Sequence, residues 1–170
     1  MQINLRDLAA KGQPVQLHEE IDISSLVKNR KDILHYGTAV ADLKVICTAG
    51  TAEVSGSIKL ELECSCSRCL TPVKETMDIP FRECFAEKTG GLEQQDQEEY
   101  DIHPAGEDYI DLSPYILENV MVSLPYAPLC KEACKGLCPN CGTNLNHQQC
   151  GCETAKIDPR LAGLADFFEK

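Results

Sequence analysis

At 170 residues, with 43% hydrophobic and 5% aromatic content and no Trp, the chain can bury one aliphatic core and carry a small appendage. Its net charge of −11 is uneven: residues 83–129 hold 11 acidic side chains against Lys88 alone, while residues 1–82 and 130–170 are close to neutral. That argues against a phosphate-seeking molecule, and the absence of any run of 18 apolar residues excludes a membrane-spanning helix.

The chain begins with charge at Arg6 and Asp7 and no apolar stretch, unlike a secretory signal, so the expected location is the cytoplasm. Ile3, Leu5 and Leu8, ahead of Gly12 and Pro14, suit a short strand followed by a turn of helix. Residues 15–23 alternate apolar and polar and predict a strand with one buried face, His18 lying on its polar side. Lys28, Arg30 and Lys31 form the one tight basic cluster, either a solvated connection or a contact for RNA phosphates. Ala39 to Ile46 and Val54 to Glu63 then read as a long antiparallel hairpin turning at Ala49-Gly50. Val54, Ile58, Leu60 and Leu62 share one face of it, and Gly56 permits a bulge or a close backbone approach. Val73 to Phe85 is the returning strand.

Between those strands stands Cys64-Ser-Cys66-Ser-Arg-Cys69. Cys66 and Cys69 are spaced as a metal knuckle, yet two or three sulfurs are an incomplete site, and reduced cysteines packing a turn explain them equally well. A thioredoxin-like redox pair would need a helix N-terminus, and a hairpin does not supply one. Residues 89–106, rich in Gln and acid, predict a mobile loop containing a solvated His103. Tyr109 to Leu112 suits a short strand. Ser113 is the expected N-cap, with Pro114 at the first helical position, of a helix running to Leu124 and stopped by Pro125.

Six of the eleven cysteines crowd into residues 130–152, spaced C-x3-C-x3-C-x2-C-x8-C-x-C. Cys138-Pro-Asn-Cys141-Gly142 is a zinc-knuckle pattern, because two sulfurs three residues apart can face one ion while Gly142 turns the backbone. Cys150 and Cys152 complete the expected tetrahedral set of Cys138, Cys141, Cys150 and Cys152, with His147 an alternative donor. Cys130, Cys134, Cys66 and Cys69 make a second set only if the tail folds back over the hairpin turn; otherwise Cys134 competes with the later pair. A disulfide framework fits less well with an odd cysteine count and no secretory signal. Beyond the tail, Asp158 and Pro159 open a helix with Leu161, Leu164, Phe167 and Phe168 on one stripe. The expected architecture is therefore α+β: an antiparallel sheet or partly open barrel in residues 1–127 with a capping helix, then a zinc-binding tail and C-terminal helix in residues 128–170.

Several of these stretches together resemble the YceD family: Cys66-Ser-Arg-Cys69-Leu-Thr-Pro-Val73, Ser123-Leu-Pro-Tyr-Ala-Pro-Leu-Cys130, the run from Cys134 to Asn146, and Ile157-Asp-Pro-Arg-Leu161. The resemblance implies a role in accumulation of large-subunit (23S) ribosomal RNA and in ribosome assembly, and it brings no catalytic residues. Some members of that family lack the cysteine tail, which implies a structural metal, zinc, in place of a chemical step. The residues themselves display no catalytic constellation and no phosphate-binding Gly loop. Two function classes remain. One is a non-enzymatic factor whose partner is a ribosomal protein, a large-subunit assembly intermediate or the RNA itself, with neither a membrane nor a small-molecule substrate. The other is a thiol-based redox or metal sensor using Cys66 and Cys69.

Overall fold

A computed structural model gives the fold and describes residues 1–48, 50–87, 102–105 and 109–152. β1 (Gln2–Asn4) runs directly into α1 (Leu5–Lys11), where the Asn4 side chain accepts a hydrogen bond from the Asp7 amide at 3.1 Å and so satisfies a free donor of the first turn. β2 (Val15–Ile21), the single turn α2 (Ser24–Val27), β3 (Ile33–Tyr36), β4 (Ala39–Thr48), β5 (Thr51–Ser65) and β6 (Pro72–Glu87) follow. β7 (Ile102–Ala105), β8 (Tyr109–Asp111) and α3 (Ser113–Ser123) come next.

The period-2 stretches form one open sheet in the order β2-β4-β5-β6-β7, and a separate pair joins β1 to β8. β5 organises the sheet. One of its edges pairs with β6 along its whole length, Thr51 opposite Ala86 through Ser65 opposite Pro72. The other edge is shared: Thr51 to Lys59 pair with β4, and Leu62 to Cys64 with β3. Between the two, the Gly37 amide donates to the Glu61 carbonyl at 2.9 Å, so the edge stays bonded where the chain passes from β3 to β4. The expected inward residues are the buried ones: Val54, Ile58, Leu60 and Leu62 of β5 meet Ala41, Leu43 and Val45 of β4 and Ile79, Phe81 and Phe85 of β6. Leu5, Leu8, Ile23, Ile110, Leu112, Ile116 and Val120 cover that face. The result is an α+β molecule with a single apolar layer, the arrangement that one-sided strands require.

Two local expectations change. Residues 102–105, expected within a mobile loop, form β7 and pair in parallel with Cys84 to Glu87; residues 88–101 and 106–108 lie outside the described residues. His103 is correspondingly half-buried and engaged in contacts. Its Nε2 is 2.9 Å from Glu83 Oε2, and its ring stands 4.6 Å from that of Tyr115 and 5.5 Å from that of Phe85, centroid to centroid. Ser113 is the first residue of α3 and not its cap; Asp111 Oδ1, two residues earlier, accepts the Ser113 amide at 3.0 Å.

The basic cluster also divides. Lys28 and Lys31 are exposed, but Arg30 is engaged inside the fold. Its Nε and Nη2 reach the two oxygens of Asp32 at 2.8 and 2.6 Å, and Nη2 also reaches the Pro125 carbonyl at 2.7 Å. The backbone carbonyl of Asp32 in turn accepts the Ser65 amide at 2.7 Å, so this fork ties the exit of α3 to the end of β5. Hydrogen bonding from Arg30 holds the Asp32 carboxyl below the usual carboxylate range. The depressed value stabilises the fold above the unfolded pKa of about 3.9 and loses that effect as pH falls through the folded value. Arg30→Ala should therefore cost about 1–2 kcal/mol at pH 7, the range for hydrogen bonds to charged groups discounted for partial exposure. The gap between the urea midpoints of the two proteins should be widest at neutral pH and narrow as pH falls through the lowered Asp32 value, leaving the share of the Pro125 carbonyl bond; a gap unchanged by acid would contradict this role.

Candidate metal centres

The β5–β6 turn, residues 66–71, is built as a knuckle. The Leu70 amide donates to the Cys66 carbonyl at 2.9 Å, and the Cys66 amide donates to the Thr71 carbonyl at 2.9 Å. Cys69 Sγ and Thr71 Oγ1 stand 3.2 Å apart. Leu70 takes the left-handed conformation at φ 59°, the one described non-glycine residue to do so, at an intrinsic cost of about 1–2 kcal/mol. Its side chain is 63% exposed, so packing does not hold it there; the turn does. Leu70→Gly should accordingly raise stability by about 1 kcal/mol, read as an upward shift in the urea midpoint. An unchanged or lower midpoint would show that the leucine is not strained.

The knuckle at residues 138–143 repeats this geometry bond for bond. Gly142 N donates to the Cys138 carbonyl at 2.9 Å and Cys138 N to the Thr143 carbonyl at 2.8 Å, with Cys141 Sγ 3.2 Å from Thr143 Oγ1. Gly142 occupies the left-handed position at φ 73°. The shared pattern is Cys-x-x-Cys-x-Thr, present as Cys66-Ser-Arg-Cys69-Leu-Thr71 and Cys138-Pro-Asn-Cys141-Gly-Thr143. Attention to cysteine spacing alone passes over the threonine.

Each knuckle meets a second cysteine pair. Cys138, Cys141, Cys150 and Cys152 converge with all four sulfurs within 4.8 Å of one another. Cys66, Cys69, Cys130 and Cys134 do the same, because the tail folds back over the hairpin turn. Cys134 thus belongs with the hairpin and does not compete with Cys150 or Cys152. His147 is exposed and in neither group. All eleven cysteines are free thiols; Cys47, Cys64 and Cys84, on β4, β5 and β6, stand outside both sets.

The two sets differ in their surroundings. In the hairpin set Cys66, Cys69 and Cys134 are buried and packed with Val73, Leu129 and Leu137. In the tail set only Cys138 is buried. The tail is held to the turn by Ser67 N donating to the Pro128 carbonyl at 2.8 Å and Leu137 N donating to the Arg68 carbonyl at 3.0 Å. Arg68 Nη1 returns to the Cys134 carbonyl at 3.0 Å. Gly136 lies against Arg68 at φ 77°, where a Cβ would come 3.1 Å from the Arg68 carbonyl oxygen.

Thiol chemistry suits a cation in both places. Burial pushes the Cys66 thiol up, but the amides of Cys130, Arg68 and Cys69 outweigh it and bring it to about 6. The Thr143 hydroxyl and amide bring Cys141 to about 6 as well. In the same sets Cys130, exposed as a residue, rises to about 12 through partial desolvation and its neighbouring thiols, and Cys152 rises to about 12 chiefly through Cys141. One sulfur in each set ionises readily while another resists a second negative charge, an opposition that a bound cation removes. Each set can therefore hold a metal ion, and a four-thiolate set leaves no open position for substrate.

The family described as "Large ribosomal RNA subunit accumulation protein YceD" matches residues 54–168. An uncharacterized protein of Mycobacterium tuberculosis is 31% identical over 158 residues, covering 92% of this chain and 75% of the relative. The uncharacterized protein YlbN of Bacillus subtilis is 26% identical over 163 residues, 93% of this chain and 90% of its own. The large ribosomal RNA subunit accumulation protein YCED homolog 1, chloroplastic, of Arabidopsis thaliana is 34% identical over 61 residues, 36% of this chain and 19% of that protein. No solved structure matches the chain. With a match across most of its length, including the hairpin knuckle and the cysteine tail, the chain belongs to the YceD family.

Proposed function

We propose that this protein is a non-enzymatic factor that supports accumulation of large-subunit (23S) ribosomal RNA during ribosome assembly, and that Cys138, Cys141, Cys150 and Cys152 hold a structural zinc. The observation that carries the reading is the donor set. Four thiolates suit zinc and close its coordination sphere, which stabilises a fold and offers no site for catalysis. Among the described residues, the two cysteine sets are the only groups that gather three or more potential metal ligands. The name borne by the family and by the Arabidopsis relative supplies the ribosomal context.

The partner in this reading is a basic ribosomal protein or a large-subunit assembly intermediate, engaged by the acidic segment of residues 83–129, with the cytoplasm as its setting. Direct binding to RNA has less support, because Arg30 is already committed to Asp32 and Pro125 and leaves Lys28 and Lys31 to meet phosphate. Two measurements test the proposal. Cells lacking the protein should show a lowered ratio of 23S to 16S RNA, and an unchanged ratio would refute the role. Purified protein should retain basic ribosomal proteins at low salt and release them as salt rises; tight, salt-sensitive binding to naked 23S fragments would instead assign RNA as the partner. The sensor reading draws on the lowered Cys66 thiol. It requires the metal-free protein to react rapidly with alkylating reagents at Cys66 and Cys69 near neutral pH, and to regulate something in consequence.

A further inference from the structure

We infer that Cys66, Cys69, Cys130 and Cys134 form a second zinc site, that it joins the cysteine tail to the β-sheet, and that it is the better protected of the two. The inference starts from the hairpin knuckle. Its hydrogen bonds, its left-handed residue and its Thr–Cys contact duplicate those of the knuckle at Cys138 and Cys141. A leucine is even held in the left-handed position that the tail gives to Gly142. A turn that only packs reduced thiols has no need of such a conformation, whereas two sulfurs that must face one ion do.

The sulfur spacing agrees. Four sulfurs at about 2.3 Å from a tetrahedral zinc stand about 3.8 Å apart. Cys66 Sγ and Cys134 Sγ are 3.8 Å apart, and Cys69 Sγ and Cys130 Sγ are 3.6 Å apart. Each of these pairs takes one sulfur from the hairpin and one from the tail, over 68 and 61 residues of chain. An ion in this set therefore bridges two segments, whereas the tail set is drawn wholly from residues 138–152.

Protection follows from burial. Three of the hairpin set's four members, Cys66, Cys69 and Cys134, are 0–5% exposed and lie among Val73, Leu129 and Leu137, which limit a chelator's access; Cys130 alone of the set is exposed. Cys141 is exposed, and Cys150 and Cys152 are only half-buried. Asn146 then links the centres. It belongs to the loop between Cys141 and Cys150, yet its Nδ2 donates to Cys134 Sγ at 3.3 Å and its Oδ1 accepts the Lys135 amide at 2.9 Å. Such an outer-shell hydrogen bond orients a ligand and lowers the charge on its sulfur. Asn146 is accordingly a positioning residue for the hairpin centre, supplied by the loop of the tail centre.

The site rests on the reading of this chain as a thiolate zinc protein, and metal analysis separates the two claims. Full-length protein purified with zinc should hold two zinc ions per chain, and the double variant Cys130→Ser, Cys134→Ser, which leaves the hairpin sequence intact, should hold one. No zinc in the full-length protein would overturn both claims. One zinc, unaffected by the double variant, would overturn the second site alone. Should that variant fail to fold, release from the unaltered protein still decides. A chelator should remove zinc in two phases of equal amplitude with rates differing about tenfold or more, and Cys141→Ser should abolish the faster one. Loss of the slower phase in Cys141→Ser would reverse the assignment and overturn the ranking. Asn146→Ala should keep both ions while accelerating the slower phase and shifting the thiolate-to-metal charge-transfer band of the cobalt-substituted protein. An unchanged slow phase and band would show that Asn146 does not position Cys134.

Discussion

Removing the metal from the loaded protein will detach residues 128–152 from the sheet and leave the sheet folded. Within that segment the described regular structure is one isolated bridge, Leu137 with Asn144. The few apolar side chains it places against the turn, Leu129 and Leu137, lie in a small cluster with the cysteines and apart from the main core. Zinc binding in small thiolate modules is worth about 10–16 kcal/mol and is also their folding energy, far more than those contacts supply. β5 pairs with β6 along its whole length and with β4 from Thr51 to Lys59, over a core containing none of the eight clustered sulfurs. Chelation should therefore strip hydrogen-exchange protection from the amides of Ser67, Leu137 and Cys138, which are bonded across the tail or the turn. The amides in the middle of β5 should keep theirs. Cys138→Ser should act in the same direction by removing the buried ligand of the tail set. Acid should do likewise, because the thiolates must stay ionised and zinc competes with protons ever less well as pH falls. Loss of β5 protection together with the tail would show that the metal supports the whole molecule, contrary to this account.

Gly56→Ala is expected to cost about 3 kcal/mol or more, the upper end for overpacking or beyond it. A Cβ at residue 56 would overlap the carbonyl oxygen of Asp42 and lie 2.9 Å from Leu43 Cα. Both atoms belong to the backbone of β4, paired with Gly56 at the Leu43 position in unbroken register, so no side-chain rotation can relieve the clash. The β4–β5 pair would have to spread at its centre, where Leu43 and Val54 are buried. Against a stability of about 5–15 kcal/mol for a domain of this kind, that removes between a fifth and more than half of the total. Urea or thermal denaturation measures it directly. A change under 1 kcal/mol would mean that the two strands are further apart than described.

What the sequence by itself determined is local. The period-2 runs of residues 15–23, 39–46 and 54–63 appear as β2 (Val15–Ile21), β4 (Ala39–Thr48) and β5 (Thr51–Ser65), with ends shifted by two or three residues, because side chains alternate across a strand whatever its neighbours do. α3 falls where Ile116 and Val120 repeat at helical spacing ahead of Pro125. The Cys138–Cys141 knuckle could be read because both sulfurs, the turn glycine and the next pair lie within 15 residues. The helix expected near residues 158–168 lies outside the described residues.

What only the tertiary structure decided is which distant segments meet. Cys66 and Cys69 carry the same local pattern as Cys138 and Cys141, yet their partners lie more than 60 residues away, and no spacing rule reaches across that interval. β7 could not be read either, since a four-residue strand containing Pro104 has little propensity of its own and is specified by parallel pairing with β6. His103 owes its place between Phe85, Tyr115 and Glu83 to that pairing. Arg30 looked like a surface charge because its acceptor at Pro125 is 95 residues away. Period and turn chemistry are properties of a few adjacent residues, whereas ligand sets and ion pairs depend on which faces the core brings together.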